Sequence, residues 1–271
     1  MKLYKISLLM LGAAMLTASC NDIDEMEPAG GNLTADQVKE TNNAIPSRTQ
    51  ATFTGMFSIM GNPFQAYPSS SRADDFGFIM AALSLDAEGA DLCMSDNDYN
   101  WFSVCGEYTS RDANYANPFI RYVIPFRQIG IANEVISAFP EDTEDADAIN
   151  QIAQAHAMRA FDYMAIVPYF QHTYAIAKDK PCVPILETTS NFANNPRQTV
   201  ETVWNYIMDD LNYAVEHLEG ATRSTKQYVD QQVAYGLRAR ANLVLGNYAE
   251  AAADAAKAME GYTPASRAEV T

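Results

Sequence analysis

The sequence predicts an all-α fold of helical hairpins joined by long irregular loops. Apolar residues recur at steps of three and four through much of the chain, the period of a helix that buries one face. No stretch sustains the alternation of a half-buried strand. Near the C-terminal end, two such periodic runs are separated by only Gly246 and Asn247, which is hairpin spacing.

From the N-terminus, "KLYKISLLMLGAAMLTAS" places Lys2 and Lys5 before a short apolar run and ends in small residues. That is the pattern of a secretory signal, and the run is shorter than the ~20 apolar residues a membrane-spanning helix needs. Thr17, Ala18 and Ser19 followed by Cys20 resemble a bacterial lipobox, with Thr17 where leucine is common and Leu16 one step further out. The expected organisation is therefore a signal peptide over 1–19, a lipidated tether over 20–46 and a helical-repeat domain over 47–271. The tether reads as flexible because it is polar and acidic and carries Pro28, Gly30, Gly31 and Pro46.

Within the domain, "QATFTGMFSIMGNPF" and "ADDFGFIMAALSL" each read as one helix, with Phe53, Met56, Phe57 and Met60, then Phe76, Ile79, Met80 and Leu83, on the inner face. The stretch "DAEGADLCMSDNDYNWFSVCGEYTSRDANYANP" has no helical period and is rich in Asp, Asn, Gly and aromatics. A loop of this length in a packed domain is functional or disordered, and its aromatics argue against disorder. "NPFIRYVIPFRQIGIANEVISAF" then predicts a helix buried through Phe119, Tyr122, Val123, Phe126, Ile129 and Ile136, with Pro125 bending or starting it and Asn133 near the stripe. In "INQIAQAHAMRAFDYMAIV" the stripe is Ile149, Ile152, Ala153, Ala157, Ala160, Phe161 and Met164, preceded by the acid run "EDTEDADA" that suits a helix N-terminus. "TVETVWNYIMDDLNYAVEHL" carries Val200, Val203, Trp204, Ile207, Leu211, Ala214 and Leu218, with Thr199 as N-cap and Gly220 as terminator. The last pair shows Val233, Leu237, Ala241 and Val244, then Tyr248, Ala251, Ala255 and Ala258. Its small residues let two helix axes approach, Tyr248 is expected to fill the gap at the turn, and the pair matches the tetratricopeptide pattern.

The chain has 271 residues, 48% of them hydrophobic, which suffices for one or two packed domains. Its formal net charge of −16 repels phosphate backbones and argues against nucleic acid as a partner. Beyond Cys20 stand Cys93, Cys105 and Cys182, an odd number with no metal-site spacing. Either Cys93 and Cys105 bridge the loop or the thiols are free and buried. There is no Gly-x-Ser-x-Gly elbow, His-Glu-x-x-His or phosphate loop. His156, His172 and His217 lie in different elements, so neither a metal nor another cofactor is expected, a calcium supporting the loop remaining an alternative. The acid runs "EDTEDAD" and "MDDL" would suit a glycosidase pair, and helix-start electrostatics accounts for the first more simply. Asp209 and Asp210 read as helix surface or as a structural contact.

Several segments together resemble the SusD/RagB family of surface lipoproteins: "TASCND", "AHAMRAFDYMAIVPYF" with Arg159-Ala160-Phe161 and Tyr169-Phe170, "CVPIL", and "ARANLVLGNYAEAAADAA". In "RQTVETVWNYIMDDLNYAVEHL", Arg197, Thr199, Val200, Ile207, Asp210 and Leu211 fall on the family's pattern. The specificity lies in the order of these segments. Family chains are longer, with a second half packed on the repeats, so the sequence resembles the N-terminal part of that fold, ending where a solenoid would leave an uncapped apolar face. The resemblance implies an outer-membrane, surface-facing protein without catalysis. It would be lipidated at Cys20, with Asp22, Asp24 and Glu25 as export signal, and would capture oligosaccharide for a SusC-type TonB-dependent transporter. Rival readings are a helical scaffold that binds proteins and a surface glycoside hydrolase.

Sugar recognition requires flat aromatic faces and hydroxyl-bonding polar groups. "DNDYNWFSVCGEY" offers both: Tyr99, Trp101 and Tyr108 as platforms, with Asp96, Asp98 and Asn100 as polar partners. Phe102 and Tyr115 are expected in the core instead, as is Trp204, while Trp101 suits either role equally.

Overall fold

The computed structural model describes residues 37–38, 40–41, 45–70, 72–90, 92, 102–140, 142–187 and 194–270. The chain divides into two units, 1–44 and 45–271. In the first, Gln37, Val38, Glu40 and Thr41 are helical, and the Thr41 hydroxyl donates to the Gln37 carbonyl at 2.5 Å.

In the second unit, the helices are α1 (Pro46–Ser58), α2 (Gly77–Asp86), α3 (Ser103–Gly106), α4 (Ala116–Ser137), α5 (Ala146–Phe170), α6 (Tyr174–Ala177), α7 (Val200–His217), α8 (Gln231–Leu245), α9 (Tyr248–Met259) and α10 (Arg267–Val270). The long helices pack in chain order: α4 on α5, α5 on α7, α7 on α8 and α8 on α9, while α1 and α2 lie against α4. Among the described residues the only extended pairing is the bridge between Pro181 and Thr199. The predicted all-α hairpin architecture is what the chain adopts.

Helix α5 is the centre, buried on nearly every side from Ile152 to Val167. Asp145 caps it, its carboxylate accepting from the Asp147 amide at 2.9 Å and the Ala148 amide at 3.4 Å. On α7 every expected inward residue is buried, Trp204 included, and the Thr199 hydroxyl accepts from the Thr202 amide as foreseen. Gly246 ends α8 with φ +84°, a conformation open to glycine at little cost.

Three faces differ from the periodicity reading. On α4, Phe119 and Tyr122 point outward, and the inner positions are Ile120, Ile124, Ile129, Ala132 and Val135 together with Asn117, Arg121, Gln128 and Asn133. Those polar side chains are tolerated because each is bonded: Gln128 donates to the Met56 carbonyl at 2.7 Å and Asn133 to the Leu186 carbonyl at 2.8 Å. The helix also runs through Pro125 without ending. On α2 the inner face is Gly77, Ala81 and Ser84, while Phe76 and Ile79 are exposed. Gly77, at φ +68°, sits so close to the turn after α1 that a Cβ there would come within 2.6 Å of the Met60 carbonyl oxygen. In the last hairpin Val244, Ala255 and Tyr248 face solvent, Tyr248 at 70%. The α8–α9 crossing needs no aromatic filler: Arg238 grips Asp254 with two bonds at 2.9 and 2.7 Å, and Asn242 adds a third at 3.1 Å.

Candidate functional site

Of the residues expected to bind ligand, Asp96, Asp98, Tyr99, Asn100 and Trp101 lie outside the described residues, as do Cys20 and Cys93. Tyr108 is placed. It follows the one-turn helix α3 and holds φ +57°, unusual for a side chain of its size, with its amide bonded to the Cys105 carbonyl at 3.1 Å. Its hydroxyl donates to the Glu88 carbonyl at 2.8 Å, and the Arg111 guanidinium lies 4.0 Å from its ring centroid. The ring is 52% exposed. Phe102 is half-buried, whereas Tyr115, expected in the core, is exposed because it is the N-cap of α4 and precedes the packed turns. Cys182 is a buried free thiol whose pKa burial pushes up to about 11, and buried Cys105 accepts from Asn117 at 2.7 Å.

Beside Tyr108 opens a cleft of about 490 Å³, lined among others by Glu88, Arg111, Pro118, Arg121, Tyr169 and Phe170. Glu88 follows α2, Arg121 is on α4 and Tyr169 ends α5, so three elements converge on it. The two Glu88 carboxylate oxygens accept from Arg111 at 3.1 Å and from Arg121. Arg121 in turn lies over the Tyr169 ring, 5.1 Å from its centroid. Its Nε is buried with no hydrogen-bond partner. Burial, with help from Glu88 and Asp86 and against Arg121, raises the pKa of Tyr169 above the ordinary tyrosine value, which keeps the ring neutral. The cleft thus offers guanidinium donors, a carboxylate acceptor and an aromatic wall in one place. Such groups suit hydroxyl-rich ligands.

An aromatic ridge adjoins the cleft. Phe119 and Tyr122 share the outer face of α4, Tyr115 caps its N-terminus, and the three are 44%, 37% and 52% exposed. Tyr67 packs on Phe119 with centroids 5.1 Å apart, and Phe170 meets Tyr122 edge to face at 5.5 Å. Tyr67 is itself fixed by its loop: Asp75, fully buried, accepts from the backbone amides of Gln65, Ala66 and Tyr67. Phe170 belongs to both ridge and cleft. Periodicity missed this surface because it counted Phe119 and Tyr122 as core. The bonded polar residues on the opposite face of the same helix are the signal that could have corrected it.

Farther along α4 and α5 a buried polar cluster locks these helices to α7. Arg159 makes two bonds to Asp210, at 2.8 and 2.7 Å, and a third to Asn133 at 2.6 Å. His156 meets Asp210 at 2.6 Å. Burial alone would raise the Asp210 pKa, but the bonds and charges of Arg159 and His156 outweigh it and hold the carboxyl below the usual range. Asp210 is therefore a structural contact, while Asp209 is exposed. No group of His, Cys, Asp and Glu among the described residues is arranged to hold a metal. A second cleft, between α5, α7 and α8, is largely apolar and includes Trp204, Leu243 and Val244.

The family model described as SusD-like, "starch-binding associating with outer membrane", matches residues 80–243. A SusD-like carbohydrate-binding protein from Bacteroides vulgatus superposes with a TM-score of 0.70 at 21% identity, over 82% of this chain and 46% of its own. A SusD superfamily protein from Bacteroides thetaiotaomicron gives 0.66 at 18% identity, over 83% and 49%. A laminarin-binding SusD-like protein gives 0.62 at 18%, over 82% and 45%. No curated protein matches the sequence. The helical fold and the matched region define a protein of the SusD-like class. This chain belongs to that family, and it spans about half the length of the solved structures it resembles. The family is described as associating with the outer membrane, and among the described residues no helix is long and apolar enough to cross one.

Proposed function

We propose that this protein captures oligosaccharides at the outer face of the outer membrane, held there by lipid on Cys20, and delivers them to a SusC-type TonB-dependent transporter. Binding, without turnover, is its task. The observation that carries this reading is the cleft beside Tyr108, where Glu88, Arg111, Arg121 and Tyr169 meet next to an exposed aromatic ridge in a chain of the SusD-like family. The names of the similar structures, carbohydrate-binding and laminarin-binding, support it. Asp96, Asp98, Tyr99, Asn100 and Trp101 precede Tyr108 closely in sequence and are proposed as further ligand contacts. The 1–19 signal, the 20–46 tether and the 47–271 binding domain complete the proposed organisation.

Tryptophan fluorescence tests it, using the whole chain with Cys20→Ser and a panel of polysaccharides. A saturable change that is lost in both Trp101→Ala and Tyr108→Ala, in chains folded by circular dichroism, is the expected result. Silence toward every glycan in an equally folded chain would sink the reading. For the anchor, Cys20→Ser is expected to move the protein from the membrane to the soluble fraction of cells. A scaffold that binds protein is the second reading, favoured by Leu243, Val244 and Tyr248, which are apolar and exposed on the last hairpin. It wins if Leu243→Asp abolishes capture by the transporter while glycan binding never appears.

A further inference from the structure

The ridge on α4 has a shape that the cleft alone does not explain. Phe119 and Tyr122 are three residues apart on α4, so their attachment points advance about 4.5 Å along the axis, and Tyr115 precedes Phe119 by four residues at the N-cap. That advance is close to the length of one pyranose ring. The row lies wholly before Pro125: Tyr115 is the N-cap of α4, with an extended backbone, and Phe119 and Tyr122 stand in its first two turns. Lateral packing by Tyr67 and Phe170 limits ring motion, so little rotamer entropy is lost when a ligand arrives.

We propose that this ridge is a linear platform for an extended run of β-1,4-linked sugar rings lying along α4, with the Glu88–Arg111 rim of the cleft bonding the hydroxyls at one end. This rests on the glycan-binding reading and names the ligand class within it. A β-1,4 chain of equatorially linked pyranoses is a straight ribbon that presents flat C–H faces at nearly constant intervals. A coiled α-1,4 chain leaves a straight row of rings after one or two units. Pro118 and Phe170 make the surface continuous from ridge to cleft, so one ribbon can touch both. The platform grips the chain along its side, which predicts recognition of internal segments and a dependence on chain length.

Isothermal titration of the whole chain with Cys20→Ser tests this, using cellohexaose, mannohexaose, xylohexaose, maltohexaose and laminarihexaose. At least one β-1,4 hexaose is expected to bind, its disaccharide at least about tenfold more weakly, and maltohexaose more weakly than the hexaose. Phe119→Ala and Tyr122→Ala should each weaken binding roughly three- to tenfold, while Tyr248→Ala, an exposed aromatic outside the ridge, leaves it unchanged. Tyr122→Trp guards against misfolding of the alanine variant, because a ligand on the ridge changes the emission of a tryptophan there. If maltohexaose or laminarihexaose binds as tightly as the best β-1,4 hexaose, the platform proposal fails and glycan capture stands. It fails in the same way if binding persists unchanged in Phe119→Ala and Tyr122→Ala. Absence of binding to all five removes the platform proposal, and the polysaccharide panel then decides glycan capture by itself.

Discussion

Asp162 and Asp210 are both buried carboxyls near the middle of the helical stack, yet their surroundings drive them in opposite directions. Asp162 is fully buried and neither of its oxygens has a hydrogen-bond partner, so burial pushes its pKa well above the ordinary aspartate value. In the unfolded chain it loses its proton near pH ~3.9, while the folded chain keeps it. Its contribution to stability is therefore fully present below that value and is lost as pH rises toward the raised folded pKa. Asp162→Asn should flatten this decline in urea-unfolding curves taken from pH 4 to 8; an unchanged pH slope would refute the assignment. Asp210 is the reverse case. Its folded pKa is depressed, so its stabilisation is present above the ordinary aspartate range and lost as pH falls through the folded value. Asp210→Ala leaves the Arg159 charge without its main partner and should cost about 3–5 kcal/mol in chemical denaturation. Neither role was legible in the residue names alone. "DD" at 209–210 read equally as surface or contact, because the partner Arg159 is separated from Asp210 by fifty-one positions.

At the scale of elements, legibility followed the chemistry of the inward face. Helices α5 and α7 were readable because apolar spacing and burial coincide there, and their caps, Asp145 and Thr199, are local signals. Helix α4 was readable as a helix but its orientation was not. Four of its inner positions are polar and bonded to distant backbone or side-chain groups, with Arg121 Nε and Gln128 Oε1 left unpaired, whereas aromatics occupy the outer face. Helix α2 shows the same limit in another form: its inner face is small, and its close approach to the turn after α1 depends on the missing side chain of Gly77. Gly77→Ala should therefore cost about 1–3 kcal/mol, through φ strain and the clash with the Met60 carbonyl. A melting midpoint equal to that of the parent chain would show that α2 can shift without penalty. The cleft was invisible for a related reason. Glu88, Arg121 and Tyr169 come from three elements, and no short motif contains them.

At the scale of the molecule, the strongly acidic charge constrains what the surface can hold. A neutral glycan meets little long-range field, so its affinity should change less than about twofold between 50 and 500 mM salt, measured by titration calorimetry. A steep salt dependence would indicate an ionic ligand instead. The succession of α4, α5, α7, α8 and α9, each packed on the next, was foreseen from paired periodic runs, and the family match is consistent with it. Of the six candidate ligand contacts in the 96–108 segment, Tyr108 has a described position, at the edge of the cleft.

The division of labour on α4 has a corollary. Its register is held from the inside, by Gln128 on the Met56 carbonyl and by Asn133 between Arg159 and the Leu186 carbonyl. Its outer aromatics add the lateral contacts of Phe119 with Tyr67 and of Tyr122 with Phe170, and none of those buried hydrogen bonds. If the proposed platform holds, substitutions at 115, 119 and 122 would change what the ridge grips while the inner bonds keep α4 in register, so ligand preference and helix register would be encoded on opposite faces of one helix.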